Sequence, residues 1–190
     1  ERLVTNCGAV SDGTDEWRNV QRTTAAHSTL SLENKNSIEL LSSGGIGKRQ
    51  PDVSISRDDD DGSFICTATH NGYAGILGTT HSRIIKLSKH REQLDGIDQL
   101  FGRAGQRFDI RFHLHPAVSA SIMQNGNSAI LKLPKGGGWQ FDSVGAELSL
   151  EDSIFLDGNT SHRSKQLVVS GETAATETEV SWSIHALGER

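Results

Sequence analysis

Apolar and polar residues alternate with a period of two along most of the chain. Val53 and Ile55 sit between polar neighbours, Phe64, Cys66 and Ala68 repeat the rhythm, and Ile85 and Leu87 follow. It continues through Phe108, Ile110, Phe112 and Leu114, then Leu131 and Leu133, Leu148 and Leu150, and Val180, Trp182, Ile184 and Ala186. Successive side chains of a strand point to opposite faces, so the pattern predicts strands with one buried and one exposed face. Turn-forming pairs punctuate them: Asp61-Gly62, Asn71-Gly72, Asp95-Gly96, Asn125-Gly126, the run Lys135 to Gly138, and Asp157-Gly158. The spacing predicts an all-β fold, an antiparallel β-sandwich of about a dozen strands. Helix is expected only as a turn or two over Asp15 to Arg22. No fixed period repeats, which argues against propellers and solenoids.

The 190 residues fit one domain spanning 1–190, long enough to bury roughly 70% of the surface its unfolded chain exposes. The opening Glu1-Arg2-Leu3-Val4 reads as the middle of a strand, so the chain is expected to be a piece of something longer. It shows neither a secretory signal pattern nor a run approaching the ~20 apolar residues of a membrane span. A net charge of −5 argues against nucleic acid, whose binding rewards a basic stripe. An anionic ligand would need a local cationic site. Cys7 and Cys66 are the only cysteines. Sequence leaves open whether they meet; the alternation of Cys66 with Phe64 and Ala68 favours two buried free thiols.

Several motif look-alikes fail on chemistry. Gly44-Gly45-Ile46-Gly47-Lys48 is followed by Arg49 where a phosphate loop needs Ser or Thr, and Ser42 stands where its first Gly belongs. Lys135 to Gly138 lies between strands and reads as a turn. Asp58 to Asp61 would place Arg57 at the first ligand position of a calcium loop, so it reads as a solvated hairpin tip. Asn159-Thr160-Ser161 matches a glycosylation triplet, a chance-level match that carries no weight. Asp109, Arg111, His113 and His115 would share one polar strand face. Two imidazoles roughly 7 Å apart at Cα can chelate a metal. Pro116, Ala117, Val118 and Ser119 supply no carboxylate as third ligand, which counts against a cupin-type oxygenase or isomerase. The pair then reads as a hydrogen-bonded face bordering a cleft or subdomain contact.

One segment is more specific: Arg22-Thr23-Thr24-Ala25-Ala26-His27-Ser28-Thr29-Leu30, preceded by Trp17-Arg18. With it run, in order, Leu3 to Gly8, Thr69-His70-Asn71-Gly72-Tyr73, His81-Ser82-Arg83, Arg111 to Pro116, Gly138-Trp139-Gln140-Phe141, Lys165 to Gly171 and Val180-Ser181-Trp182. In order and spacing these resemble the C-terminal part of the bacterial heparinase II/III-like polysaccharide lyases, over nearly the whole chain.

The resemblance implies a C-terminal antiparallel sandwich that works with an N-terminal α/α toroid absent from this chain. Such enzymes cleave uronate-containing polysaccharides by β-elimination. A base removes the proton alpha to the carboxylate, donors stabilise the carbanion, and an acid helps the glycosidic oxygen leave. The resemblance implies zinc, held by two His and an Asp, in some members. His27 matches one such ligand, but Asn6 stands where the Asp belongs and the strand carrying the other His would precede Glu1. No metal or other cofactor is therefore expected in this chain. Nor is any catalytic residue assigned: the family's Tyr lies on the toroid, so Tyr73 reads as a half-buried strand-end residue. His27, Arg22, His70 and Arg83 are the candidate substrate contacts. Against that, His70 and His81 also read as strand-end hydrogen-bonders, and Arg22 and Arg83 as surface partners of Asp and Glu. The expected partners are an acidic polysaccharide, through the full enzyme, and the toroid, with neither nucleic acid nor membrane. The resemblance points to the periplasm and leaves the cytoplasm open. The alternative is a non-catalytic carbohydrate-binding or structural sandwich. Against it, Trp139 and Trp182 alternate like core residues and Trp17 lies in an irregular segment.

Overall fold

A computed structural model describes residues 1–11, 14–174 and 176–188. The chain opens with two short strands, β1 (Val4–Thr5) and β2 (Gly8–Val10), then a helix α1 (Asp15–Val20), a 3-10 turn (Thr24–Ala26) and β3 (Leu30–Leu32). A meander follows: β4 (Val53–Asp59), β5 (Ser63–His70), a helical turn α2 (Ala74–Leu77), β6 (Thr80–Ser88) and β7 (Gln93–Phe101). The chain continues through β8 (Arg107–Leu114), β9 (Ser119–Ile122), β10 (Ser128–Lys132) and β11 (Gly138–Val144). It ends in the long strands β12 (Glu147–Gly158), β13 (Thr160–Glu172) and β14 (Glu177–Ala186). Strand makes up 56% and helix 7%, so the period-two pattern was read correctly as all-β.

One sheet runs β1-β8-β13-β12-β2, with β3 also pairing β8; the other runs β4-β5-β6-β7-β14-β11-β10-β9. Every ladder is antiparallel except the short parallel pairing of β2 with β12. Between the sheets lies one apolar core. Phe108, Ile110, Phe112, Leu167 and Val169 from the first sheet meet Phe141, Val180, Trp182 and Ile184 from the second. Phe112 is packed edge-on against both Phe141 and Trp182, at 4.9 Å between centroids in each case.

Alternation alone misjudged burial at one wing. Cross-strand register places Trp182, Gly96, Ile85, Cys66 and Arg57 in one row on one face. Trp182 is buried, yet towards β4 the same face opens to solvent. Val53 is 61% exposed, Ile55 67% and Phe64 45%. The narrower sheet leaves this wing uncovered, so Cys66 is only half-buried rather than a core thiol. Asp95-Gly96 is likewise no turn but the middle of β7. Gly96 is glycine because Trp182 lies across it: a Cβ there would come within 2.1 Å of the indole. Tyr73 also departs from expectation. It is fully buried at the turn leading into α2, and its hydroxyl donates to the Leu30 carbonyl at 3.0 Å.

Candidate functional site

Asp98 sits on the inner face of β7, between Gly96 and Leu100, and is 1% exposed. Burying a carboxylate is costly unless donors surround it. Four bonds do so: His81 Nε2 at 2.6 Å, Arg83 Nε at 2.8 Å, Arg83 Nη2 at 3.0 Å and Trp182 Nε1 at 2.8 Å. The sheet register dictates this meeting. Arg83 pairs directly with Asp98 across β6 and β7, while Trp182 reaches Asp98 diagonally, because Val180 is its direct partner. Burial alone would raise the Asp98 pKa. The hydrogen bond from His81 and the charge of Arg83 outweigh it and hold the carboxyl below its ordinary value. The Arg83 guanidinium also lies 5.7 Å from the Trp182 ring centroid and 5.9 Å from that of Phe112.

The network continues outward. His70 Nε2 lies 3.2 Å from His81 Nδ1, and the Gly72 N–H donates to His70 Nδ1 at 3.2 Å. A backbone N–H can only donate, so His70 Nδ1 accepts and its proton resides on Nε2. That proton is given to His81 Nδ1, which leaves His81 Nε2 protonated to serve Asp98. The tautomers of both rings follow from one backbone amide. Burial, then the neighbouring His81, lowers the His70 pKa to about 4. Burial also pushes the phenol of Tyr73, whose ring is 5.6 Å from His70, up to about 12.

The candidate contacts therefore divide. His70 and Arg83 meet through the Asp98 network. Three of the five donors of Arg83 are spent on Asp98 and on the Ser28 carbonyl, the latter at 2.8 Å. Arg22 and His27 are held elsewhere, each on a backbone carbonyl: Gly45 at 2.7 Å from Arg22, and Thr23 at 2.8 Å from His27 Nδ1. The strand-face reading of Asp109 to His115 holds in part. Asp109 and Arg111 pair at 2.9 Å. His113 is buried beneath the 3-10 turn, with Nε2 donating to the Ala25 carbonyl at 2.9 Å, the Ser153 hydroxyl 2.9 Å from Nδ1, and the Cys7 Sγ 3.5 Å from Nδ1. His115 lies beyond β8, with its ring near Phe155. Burial raises the Cys7 pKa and lowers that of His113.

The matched positions offer a metal one imidazole, His27, and one neutral amide, Asn6. The Asn6 side-chain oxygen accepts the Ser28 N–H at 2.8 Å, while His27 bonds the Thr23 carbonyl through Nδ1, which orients its ring. Among the described residues, no three His, Cys, Asp or Glu side chains are placed to hold a metal ion together. The sequence reading missed Asp98. Its signal was present: an acidic residue in phase with Leu94, Gly96 and Leu100, on the buried side of a strand.

Beside β5, a cleft of about 470 Å³ opens between the 35–51 segment and the residues that follow His70. Lys35, Glu39, Arg49, Gln50, Asn71 and Gly72 are among its lining. Among the described residues, neither Lys35 nor Arg49 forms a salt bridge.

The two sheets, joined by the buried His-Asp-Arg network, define an all-β sandwich. Residues 1–183 match the family model "Heparinase II/III-like, C-terminal", and the chain belongs to that family. The protein named FtsZ-localized protein C from Caulobacter vibrioides is 28% identical over 190 residues, covering 90% of this chain and 32% of that protein. A mutant of heparan sulfate lyase HepC from Pedobacter heparinus superposes with a TM-score of 0.81 at 15% identity, over 100% of this chain and 29% of that one. The heparinase III BT4657 gene product superposes with a TM-score of 0.79 at 13% identity, over 97% of this chain and 28% of that one. The chain thus spans about a third or less of the length of these relatives.

Proposed function

We propose that this domain is the substrate-gripping half of a lyase that cleaves uronate-containing polysaccharides by β-elimination, and that it is not catalytic alone. The observation that supports this most is the cleft, whose lining sets two cations, Lys35 and Arg49, against one carboxylate, Glu39, on a chain of net charge −5. β-Elimination needs a uronate carboxylate neutralised while its alpha proton leaves, and an Arg fork grips a carboxylate through two parallel hydrogen bonds. The histidines nearby are engaged inward. His70 has both ring nitrogens bonded and holds no free lone pair for a proton, so it positions the cleft rim rather than acting as base. A helical partner domain supplies the base and acid.

The test uses heparan sulfate, hyaluronan, alginate and chondroitin, with the absorbance of the unsaturated uronate product as readout. The chain alone should give no product, and Lys35→Ala with Arg49→Ala should weaken its binding to the polyuronate it prefers. Product from the chain alone, or binding untouched by both substitutions, would sink the reading.

The Caulobacter relative supports a second reading, in which the domain serves a protein that localises with FtsZ. Co-sedimentation of the chain with FtsZ polymers tests it, and a supernatant-only result counts against it.

A further inference from the structure

We propose that the cleft under Trp17 is a second carbohydrate site, one that takes an uncharged pyranose ring. It lies on the edge of the other sheet, and the proposal stands whether or not the lyase reading does.

Three observations carry it. Trp17 is 37% exposed on α1, whereas Trp182 is buried in the core and Trp139 packs against it. An indole left at the surface of a six-residue helix contributes little to the core and offers a flat apolar face with an N–H at one edge. The indole borders a cleft of about 350 Å³, within the range of small-ligand sites. Val10 and Leu156 supply further apolar surface, and Thr14, Asn159, Thr160 and Ser161 ring it with amide and hydroxyl groups. Finally, among the described residues none that lines the cleft is ionisable.

A pyranose is complementary to such a place. Its C–H face stacks on the indole while its hydroxyls, or an N-acetyl amide, exchange hydrogen bonds with neutral polar groups. A uronate would bring a carboxylate to a lining whose described residues include no cation, and its desolvation would go uncompensated. The polar groups are also available. Among the described residues, Asn159 and Ser161 make no side-chain hydrogen bond, while Thr160 Oγ1 donates to the Asp157 carbonyl at 2.9 Å. Their positions are fixed, because Asn159 is the tip of a hairpin whose strands pair continuously from Glu147↔Ser170 to Asp157↔Thr160. A site on a long ladder is held more rigidly than one on a free loop.

The experiment titrates the 190-residue chain with cellotriose, triacetylchitotriose and a heparan sulfate tetrasaccharide, by calorimetry and by the indole N–H resonance of Trp17. Millimolar binding of at least one uncharged trisaccharide is expected, with a shift of that resonance. Trp17→Ala should weaken binding about tenfold or more, and Asn159→Ala by a smaller factor. Both residues are at the surface, so unchanged thermal unfolding of the variants will show that the fold survives. Absence of binding by either uncharged sugar at millimolar concentration would overturn the proposal. Binding indifferent to Trp17→Ala would do the same, as would binding confined to the uronate-bearing tetrasaccharide.

Discussion

Trp182 and Asp98 stand on adjacent strands, two residues out of direct register, and the indole Nε1 of the first donates to Oδ2 of the second at 2.8 Å. This bond joins the apolar core to the buried ionic network. The same indole packs edge-on against Phe112 and crosses the bare backbone of Gly96. It adds a neutral donor to a buried carboxylate that His81 and Arg83 hold below its ordinary pKa.

Removing the charge of Asp98 should therefore cost more than the loss of one hydrogen bond. Asp98→Asn leaves Arg83 buried without a counter-charge and turns amide hydrogens towards His81 or Trp182. We expect a loss of about 3–5 kcal/mol in urea unfolding. Trp182→Phe, which keeps most of the ring, should cost about 1–3 kcal/mol. The two losses should fall short of additivity in the double variant, because the bond they share can be lost only once. Additive losses would show that the bond contributes nothing.

Gly96 offers a separate test of the same packing. A methyl group there must displace the indole, so Gly96→Ala should destabilise by about 1–3 kcal/mol, as overpacking generally does. The near-ultraviolet dichroism of the tryptophans should change with it. An unchanged spectrum together with unchanged stability would mean that Trp182 does not lie across β7.

The fold was legible because a strand writes its two faces into alternate residues, as Phe108, Ile110, Phe112 and Leu114 do along β8. What alternation cannot report is the width of the opposing sheet. Ile55 and Ile184 follow the same rule and share a sheet face, yet one is 67% and the other 6% exposed. Asp95-Gly96 has the composition of a turn but lies within a strand, since the glycine answers to an indole 86 residues further along the chain. The candidate site was half legible. His70, His81 and Arg83 stood out by type and spacing. Their common anchor, Asp98, did not, and neither did Lys35 and Arg49, whose meeting depends on how the 35–51 segment crosses the end of β5.

The thiols should differ sharply in reactivity. Cys7 is buried beside His113, and burial raises its pKa, so little thiolate forms near neutral pH. Cys66 is half-buried on the uncovered wing. A disulfide reagent should label one thiol in the native chain and two after denaturation, and Cys66→Ser should abolish the native reaction. Two fast native thiols would contradict the placement of Cys7.

Acid sensitivity follows from His70. Its ring is neutral when folded, with a pKa near 4, against an ordinary value of 6.5. As pH falls below about 6.5 the unfolded chain takes up a proton that the folded chain refuses, so stability declines. The decline from this residue should be complete near pH 4, where the folded ring also protonates and Nδ1 can no longer accept the Gly72 N–H. Solvent reaching the half-buried ring screens part of the effect, leaving a loss on the order of 1–2 kcal/mol. His113, lowered by its own burial, adds to the loss in the same direction. Asp98 acts at lower pH: its carboxyl is held below the ordinary value, so its contribution is present above that value and is lost as pH falls through the folded one. His70→Gln keeps a hydrogen-bonding side chain but cannot titrate. Measured by urea midpoints from pH 7 to pH 4, the variant should show a shallower decline than the parent, with the residual slope assigned to His113. A parallel decline in both proteins would show that His70 does not set the acid response.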